Sequence, residues 1–249
     1  MKYNRTVERT IEILDLLSKN SHGLSLSEIK QTMNIPKSSA YDIIITLQDL
    51  GMIELLDERL KIYGLGIRSF TIGNRYTENL DLIKIARPYI KELSEKLNKT
   101  VFLGVMTGTK VVYIDKYTPS DEILQTCAIG SENSLHCTSL GKALLSYAPN
   151  YEKVKDKIEL VSKTENTITN YEDLEKELEA TRLRGYSIDD REHREHMFCS
   201  GAPIFDHSSK VIAAISNTGL YDENKDYQSE FILIKEAAEE ISKKLGYRK

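Results

Sequence analysis

The hydrophobic residues of the first 66 positions follow three helical periods and then one strand-like pattern. Residues 5–19 predict an amphipathic helix. Its apolar stripe consists of Val7, Ile11, Ile13, Leu14 and Leu17. Shorter helices are predicted over residues 26–33 and from residue 37 to 50. Two strand-like runs around Asp57–Arg59 indicate a hairpin. Three short helices followed by a hairpin predict a winged helix-turn-helix.

Capping residues support these boundaries. Ser25 or Ser27 can cap the second helix, with Glu28 in its first turn. The segment NIP at residues 34–36 predicts a turn, and Gly51 ends the third helix as a C-cap glycine. The three helices are therefore expected to be separate elements.

Helical periodicity returns over residues 67–98. The apolar stripe there consists of Ile83, Ala86, Ile90, Leu93 and Leu97. Pro88 lies inside this stripe, and a proline in a helix interior removes a hydrogen bond, so we expect a kink or a boundary at that point. The predicted organisation is a first domain at residues 1–66, a linker helix at 67–79 and a second domain at 80–249.

Beyond residue 100 the pattern alternates between strands and helices. Strands are predicted over residues 101–108, 110–117, 123–130, 185–190, 198–206 and 210–219. Helices are predicted over residues 136–147, 151–160, 171–184 and 229–246, with Leu183 and Ile232 on the apolar stripes of the last two. About six strands flanked by helices predict an α+β sheet domain of ~150 residues.

Composition excludes several protein classes. The 249 residues are 40% hydrophobic and 29% charged with a net charge of −4, which is globular and excludes a polybasic nucleic-acid coat. Three cysteines without a CxxC pair indicate a reducing compartment and no zinc ribbon. No apolar run approaches the ~20 residues of a membrane span, and no signal peptide is evident, so a cytoplasmic protein without a membrane partner is expected.

The third helix and the hairpin carry candidate DNA contacts. The N-terminal residues of the second helix of a helix-turn-helix meet base edges, and hydroxyls and lysines bind phosphate oxygens. The side chains predicted to contact double-stranded DNA are Lys37, Ser38, Ser39, Tyr41, Asp42, Thr46, Arg59 and Lys61. Three helices with a hairpin also occur in protein–protein modules and inside enzymes, and a strongly basic recognition helix is absent.

Three motifs, in one order along nearly the whole chain, resemble the IclR family of transcriptional regulators. They are RTVERTIEILDLLS with GLSLSEIKQTMNIPKSSAYDIIITLQDLGMIE, then LHCTSLGKALL, then GYSIDDREHREHMFCSGAPIFDHSSKVIAAIS. The resemblance implies a winged helix-turn-helix joined by a linker helix to a GAF-like α/β effector domain. It implies a homodimer or tetramer on operator DNA, more often a repressor, with RNA polymerase as a further candidate partner and no cofactor.

The same resemblance implies an effector site in the second domain, for a small organic acid or aromatic molecule. The residues carried over are Ser139, Leu140, Asp189, Met197, Cys199, Ser216 and Thr218. Helix N–H groups near Ser139 would suit a carboxylate, and Ser216 and Thr218 share one face of a strand. The chain departs from the family pattern at three positions. It has Asp42, Gly64 and Phe198 where family members usually carry arginine.

Two other classes of protein remain open. In an enzyme, Cys199 would act as the nucleophile with His193 or His196 as the base, although no GxSxG or P-loop motif accompanies them. His193 and His196, with Asp189, Glu195 and Cys199 nearby, could also hold a metal, but HREH matches no metal motif and an exposed charged loop is the preferred interpretation. The third class is a pure dimerisation or protein-sensing module. We expect no catalytic residue and no metal.

Overall fold

The computed structural model describes residues 3–78, 81–120 and 127–248. The chain forms two compact units, Met1–Asn79 (unit 1) and Leu80–Lys249 (unit 2). In the described part of the chain, the helices are too short or too polar to cross a membrane.

Unit 1 combines short helices with a small antiparallel sheet. Its helices are α1 (Arg5–Ser18), α2 (Leu26–Met33), α3 (Lys37–Asp49) and α4 (Ile67–Glu78). Its strands are β1 (Leu24–Ser25), β2 (Ile53–Asp57) and β3 (Ile62–Leu65), in the order β1-β3-β2. The predicted winged helix-turn-helix is confirmed, with β2 and β3 as the wing.

Local hydrogen bonds explain where these helices begin and end. Ser25, not Ser27, caps α2 in a reciprocal capping box with Glu28. Asn34 ends α2 in the left-handed conformation, and Gly51 follows α3 with a φ of 71°. In the wing, the Asp57 carboxylate accepts the Leu60 N–H at 2.7 Å and so closes the turn.

The core of unit 1 uses only part of the predicted α1 stripe. Ile13 and Leu17 are buried against α2, α3 and the sheet, whereas Val7 and Ile11 are 59% and 54% exposed. The prediction was wrong for these two residues because the stripe is wider than the face that meets the core. Val7 and Ile11 lie on a neighbouring side of the helix.

Unit 2 is built on a six-stranded antiparallel sheet with the order β6-β5-β4-β9-β8-β7. The strands are β4 (Thr100–Thr107), β5 (Lys110–Tyr117), β6 (Glu132–Ser134), β7 (Ser187–Asp190), β8 (Met197–Phe205) and β9 (Val211–Leu220). The helices are α5 (Asp81–Leu97), α6 (Ser139–Leu145), α7 (Tyr151–Val154), α8 (Tyr171–Arg184) and α9 (Gln228–Lys244), with a short 3₁₀ turn at Lys155–Lys157. The α+β class is confirmed.

Each face of this sheet has its own hydrophobic core. One core joins α5 and α9 to the sheet through residues such as Ile90, Leu103 and Ile234. The other joins α6 and α8 to the opposite face through residues such as Phe102 and Leu140. Side chains alternate between the two faces along each strand, so every second residue of β9 points toward α6.

Two predicted elements of unit 2 differ from the structure. The predicted strand at residues 123–130 is wrong at Cys127–Gly130, where the chain turns: the Ser131 N–H bonds the Ala128 carbonyl at 3.2 Å, and Gly130 has a φ of 85°. Residues 123–126 lie outside the described residues. The third strand is β6 instead. Of the kink or boundary expected at Pro88, the boundary is wrong, because α5 continues from Asp81 to Leu97 with both halves buried against the sheet.

Two predicted core residues and one helix also need correction. Leu183 is 83% exposed and Ile232 is 48% exposed. Leu183 stands at the solvent side of the last turn of α8, and Ile232 stands on the outer face of α9. The helix predicted over residues 151–160 is shorter than expected, since α7 ends at Val154 and gives way to the 3₁₀ turn.

Candidate functional site

Helix α3 presents an open polar surface in unit 1. Lys37, Ser38, Tyr41, Asp42 and Thr46 are exposed along it, while Ala40 and Ile44 hold its other side in the core. No side chain caps the N-terminus of α3, which begins after Pro36. Its first N–H groups and the positive end of the helix dipole therefore face outward, where they suit a phosphate.

Two of the predicted hydroxyl contacts on α3 already have partners. Ser39 is half-buried, and its Oγ accepts a hydrogen bond of 3.2 Å from Arg9 of α1. The Thr46 hydroxyl donates to the Asp42 carbonyl at 2.7 Å. Both oxygens can still accept a bond, but Thr46 has used its proton within the helix.

The wing adds two exposed cations. Arg59 and Lys61 are both solvent-exposed, and Lys61 has a φ of 54° at the end of the turn. Asp57 is held by the Leu60 N–H in the same turn. The structure thus places all eight predicted DNA-contacting residues on α3 and the wing tip of unit 1.

A cavity of ≈ 220 Å³ lies in unit 2 between the start of α6 and the sheet. It is lined by Phe102, Tyr113, Cys127, Thr138, Ser139, Leu140, Asp189, His193, Arg194, Met197, Cys199, Ser216 and Thr218. All seven residues carried over from the family resemblance are among them. Concave, mostly apolar cavities with a few polar groups are typical of small-molecule sites.

Strand register brings distant parts of the chain together in the cavity wall. Asp189 of β7 pairs with Cys199 of β8, which in turn pairs with Thr218 of β9. These three side chains form a row on one face of the sheet, and the Cys199 sulfur lies 3.1 Å from the Thr218 hydroxyl. In the next row, Ser216 lies beside Phe102 of β4.

Gly201 lets helix α6 approach this wall. A Cβ at Gly201 would lie 2.9 Å from the carbonyl carbon of Ser139, closer than real Cβ contacts. The Ser187 hydroxyl donates to the Ser139 carbonyl at 2.6 Å and fixes the same contact. The start of α6 therefore forms one side of the cavity because residue 201 has no side chain.

Asp189 is the one carboxyl group among the described residues that line the cavity, and it is almost fully buried. Burial raises its pKa to about 7, and the nearby Glu192 carboxylate acts in the same direction. One carboxylate oxygen accepts the backbone N–H groups of Glu192 at 2.9 Å and His193 at 3.2 Å. Asp189 is thus poised between its acid and its carboxylate form at neutral pH.

The segment after β7 closes the cavity and is fixed by a buried ion pair. Lys142 of α6 is 1% exposed and pairs with Glu192, and the Thr167 hydroxyl bonds the Glu192 carbonyl at 2.6 Å. These contacts hold His193 and Arg194 at the cavity. His193 is half-buried rather than part of an exposed loop, because Asp189 binds its N–H, whereas His196 is exposed.

Family comparisons match both units. Residues 6–57 match the IclR helix-turn-helix domain, and residues 74–243 match the family described as bacterial transcriptional regulator IclR C-terminal. The chain belongs to the IclR family. This IclR-family protein is a DNA-binding transcriptional regulator, as the family resemblance predicted.

Relatives extend over the whole chain. The transcriptional repressor AllR of Klebsiella pneumoniae is 29% identical over 98% of this chain and 91% of its own length. The crystal structure of the Thermotoga maritima IclR is 33% identical, with a TM-score of 0.76 and 98% and 99% of the two chains covered. An IclR homolog from Microbacterium hydrocarbonoxydans, complexed with 4-hydroxybenzoate, has a TM-score of 0.84 at 19% identity over 96% and 98%. At 19% identity, the similarity to this last structure shows that the fold is shared.

In the described part of this IclR-family chain, Cys199 is not hydrogen-bonded to His193 or His196, the pairing that the enzyme alternative requires. Cys199 lies against Thr218, and the nearest imidazole contact to a thiol joins His193 Nδ1 to Cys137 at 3.8 Å. Burial raises the pKa of Cys199, and it raises that of Cys137 to about 12, so both thiols stay protonated. Within the described residues, no three His, Cys, Asp or Glu side chains are close enough to hold a metal ion.

Several cavity residues were missed from sequence. Phe102, Tyr113, Cys127, Thr138 and Arg194 line the cavity but were not predicted there. Alternation puts each of Phe102 and Tyr113 on one face of its own strand, but only the pairing of β4 with β5 shows that the two rings share a face. Phe198, the departure from the family pattern, points away and stacks on Tyr227 with ring centroids 4.0 Å apart.

Proposed function

We propose that this chain is a ligand-responsive repressor whose unit 1 binds operator DNA and whose unit 2 binds a small organic effector. The observation that carries the proposal is the coexistence of an uncovered α3 surface in one unit and a lined cavity in the other. The corresponding domains are residues 1–66 for DNA, 67–79 for the linker helix and 80–249 for effector binding and oligomerisation.

For DNA, the uncapped start of α3 and the cations Lys37, Arg59 and Lys61 supply phosphate contacts. The exposed polar side chains Ser38 and Tyr41 lie where base edges would be read. Asp42 repels phosphate but can accept a hydrogen bond from a cytosine amine, so it favours base reading over general affinity.

For the effector, the cavity offers an aromatic wall and a polar row. Phe102 and Tyr113 meet edge to face, with ring centroids 4.9 Å apart. Thr218 and Ser216 of β9 and Asp189 of β7 supply hydrogen-bonding groups in the same cavity. Arg194 at the rim is exposed, and in the described part of the chain it forms no ion pair with a carboxylate. These features favour a small aromatic or aliphatic acid, and the homolog that binds 4-hydroxybenzoate has the same fold.

For the oligomer, unit 1 presents apolar side chains that a second copy would cover. Tyr3, Val7 and Ile11 are 68%, 59% and 54% exposed on one side at the start of α1. Ile67 and Phe70 of α4 are 72% and 67% exposed. Apolar surface of this extent marks an interface. A dimer doubles the phosphate contacts and sets the spacing of two half-sites, and a tetramer pairs two such dimers.

Repression is proposed because the relative AllR is a repressor. An effector that binds one arrangement of the dimer better than another shifts the population toward it, and only by that difference in affinity. The effector would thereby change the spacing of the two α3 helices and release the operator.

The test compares Ser216→Ala, in the cavity, with Ser208→Ala, which is exposed in the β8–β9 turn. Operator fragments are first selected from the genome with purified protein, and a panel of small acids including 4-hydroxybenzoate is screened for release. We expect Ser216→Ala to shift the releasing concentration at least tenfold with unchanged operator affinity. Failure to bind any duplex at low salt, or simultaneous loss of both properties, would contradict the proposal.

A further inference from the structure

A second cavity, of ≈ 350 Å³, lies in unit 2 and shares no lining residue with the effector cavity. It is bounded by the edge of β8, the last turn of α8 and the inner side of α9. The corresponding residues of these elements include Phe205, Arg182 and Lys235.

The edge of β8 is open at this cavity but cannot take another strand. Strand β7 pairs with β8 only as far as Gly201, so Ala202–Phe205 have no strand neighbour on that side among the described residues. Pro203 has no N–H, and the Phe205 N–H already donates to the Ser242 hydroxyl at 3.0 Å. Because the backbone donors are absent or used, an occupant would be held by side chains and not by β-sheet addition.

Three aromatic rings form one wall of the cavity. Tyr147 meets Phe205 edge to face with ring centroids 5.0 Å apart, and Tyr247 stacks on Phe205, also at 5.0 Å. Such a group offers both a ring face and a ring edge to a planar molecule. Leu183 adds an apolar side chain at the rim and is 83% exposed.

Two cations face the same space with donors to spare. Arg182 donates to the Ser146 carbonyl at 3.0 Å, and Lys235 donates to the Arg184 carbonyl at 3.1 Å. Each bond uses one side-chain N–H to satisfy a carbonyl at a helix C-terminus. The other N–H groups of Arg182 and Lys235 are not used by these carbonyls. Neither cation forms an ion pair within residues 3–78, 81–120 and 127–248.

The net charge of the residues that line this cavity is positive. Lys243 also lines it but pairs with Glu240 at 2.6 Å, and Glu239 contributes one negative charge. The positive charges of Arg182 and Lys235 therefore exceed the one negative charge of Glu239. An anion is attracted, and the neighbouring rings select one with a planar apolar part.

We propose that this second cavity binds a small aromatic carboxylate, with the ring against Phe205 and Tyr247 and the carboxylate between Arg182 and Lys235. The site is separate from the effector cavity. The regulator would then bind a second small molecule. One side of this site is helix α9, which packs against α5.

The experiment titrates the full chain with 4-fluorobenzoate and follows the probe by ¹⁹F NMR. The test variant is Arg182→Gln/Lys235→Gln, and the matched control is Lys153→Gln/Lys210→Gln, which removes two exposed positive charges elsewhere in unit 2. We expect a saturable site, distinct from any binding of the probe in the effector cavity, that is weakened at least tenfold in the test variant and unchanged in the control and in Ser216→Ala. Tyr247→Leu, which removes a ring and no charge, should weaken the same site, and inorganic phosphate should not displace the probe.

Four outcomes would overturn the proposal. They are a site equally weakened in the control, a site abolished by Ser216→Ala, full displacement by phosphate, and no saturable binding in the unaltered chain. A changed sedimentation coefficient in the test variant, with probe binding retained, would identify the cavity as a contact between subunits instead. Thermal unfolding of each variant verifies that it is folded.

Discussion

Seven of the eight residues predicted to contact DNA in unit 1 are exposed, whereas five of the seven predicted to contact an effector in unit 2 are buried. A long polyanion is read from a convex surface, so its contacts add little to folding. A small molecule is held by enclosing it, so its contacts belong to the core. Substitutions should therefore separate binding from stability in unit 1 and couple them in unit 2.

The largest expected effect is the salt dependence of operator binding. If a dimer neutralises 6–10 phosphates, its affinity falls by ~10³–10⁵ between 50 and 200 mM salt. Lys37→Ala/Arg59→Ala/Lys61→Ala removes three cations from each subunit, and the slope of log affinity against log salt should drop by about 5. Fluorescence anisotropy at several salt concentrations measures it.

The control for that experiment is the triple variant Lys153→Ala/Lys210→Ala/Lys244→Ala, which has the same change in net charge on exposed residues of unit 2. Its slope should stay close to that of the unaltered chain. A similar drop in both triple variants would mean that net charge and not the α3 surface governs binding. Thermal unfolding should be nearly unchanged in both.

The next largest effect is expected at Lys142, 1% exposed and paired with Glu192. Lys142→Met leaves a buried carboxylate without its cation, which costs about 3–5 kcal/mol of stability. Lys142→Met/Glu192→Leu should recover much of this loss. Urea unfolding of unit 2 measures both, and Lys37→Met in unit 1 is the exposed control. Equal losses from Lys142→Met and Lys37→Met would contradict the contrast between the units.

A smaller effect is expected from pH. The pKa of Asp189 is raised to about 7 from its ordinary 3.8, so the folded state binds a proton that the unfolded state has released. Stability of unit 2 is then lost as the pH rises through this window, by about 2 kcal/mol between pH 5.5 and pH 8. Burial also raises the pKa of Glu192, which acts in the same direction.

Asp189→Asn should remove most of this pH dependence, whereas Asp42→Asn in unit 1 should leave it in place. The thermal unfolding transition of unit 2, followed at several pH values, is the measurement. A slope that is unchanged in Asp189→Asn would show that Asp189 does not titrate in this range.

The smallest expected effects come from a glycine-to-alanine substitution in each unit. Gly201→Ala brings a Cβ to 2.9 Å from the Ser139 backbone, and such overpacking costs about 1–3 kcal/mol. Gly73→Ala in α4 meets nothing within 4 Å and replaces a helical glycine, which should stabilise unit 1 by about 1 kcal/mol. Opposite signs in calorimetry are expected, and a destabilising Gly73→Ala would contradict this interpretation.

Most of the fold could be predicted because its signals are local. The Ser25–Glu28 capping box and the Gly51 C-cap lie within a few residues of the boundaries they set. The prediction was wrong where an apolar residue fits the helical period but is exposed, and where a residue distant in sequence determines the local structure. Val7 and Ile11 satisfy helical periodicity, yet they are exposed because the core reaches only one part of that stripe.

The candidate site was harder to predict because its geometry is not local. The seven cavity residues came from the family resemblance, since no spacing places Ser139 beside Gly201. Lys142 and Glu192 are 50 positions apart, and neither residue type suggests a buried pair. Strand register also placed Phe102 beside Ser216, a contact that a strand prediction without pairing does not contain.

The row formed by Asp189, Cys199 and Thr218 can change by substitution without a change of fold. Each residue comes from a different strand, and its side chain can be exchanged without touching the backbone hydrogen bonds between strands. Under the proposed function, substitutions in this row would change which effector binds while the scaffold is conserved.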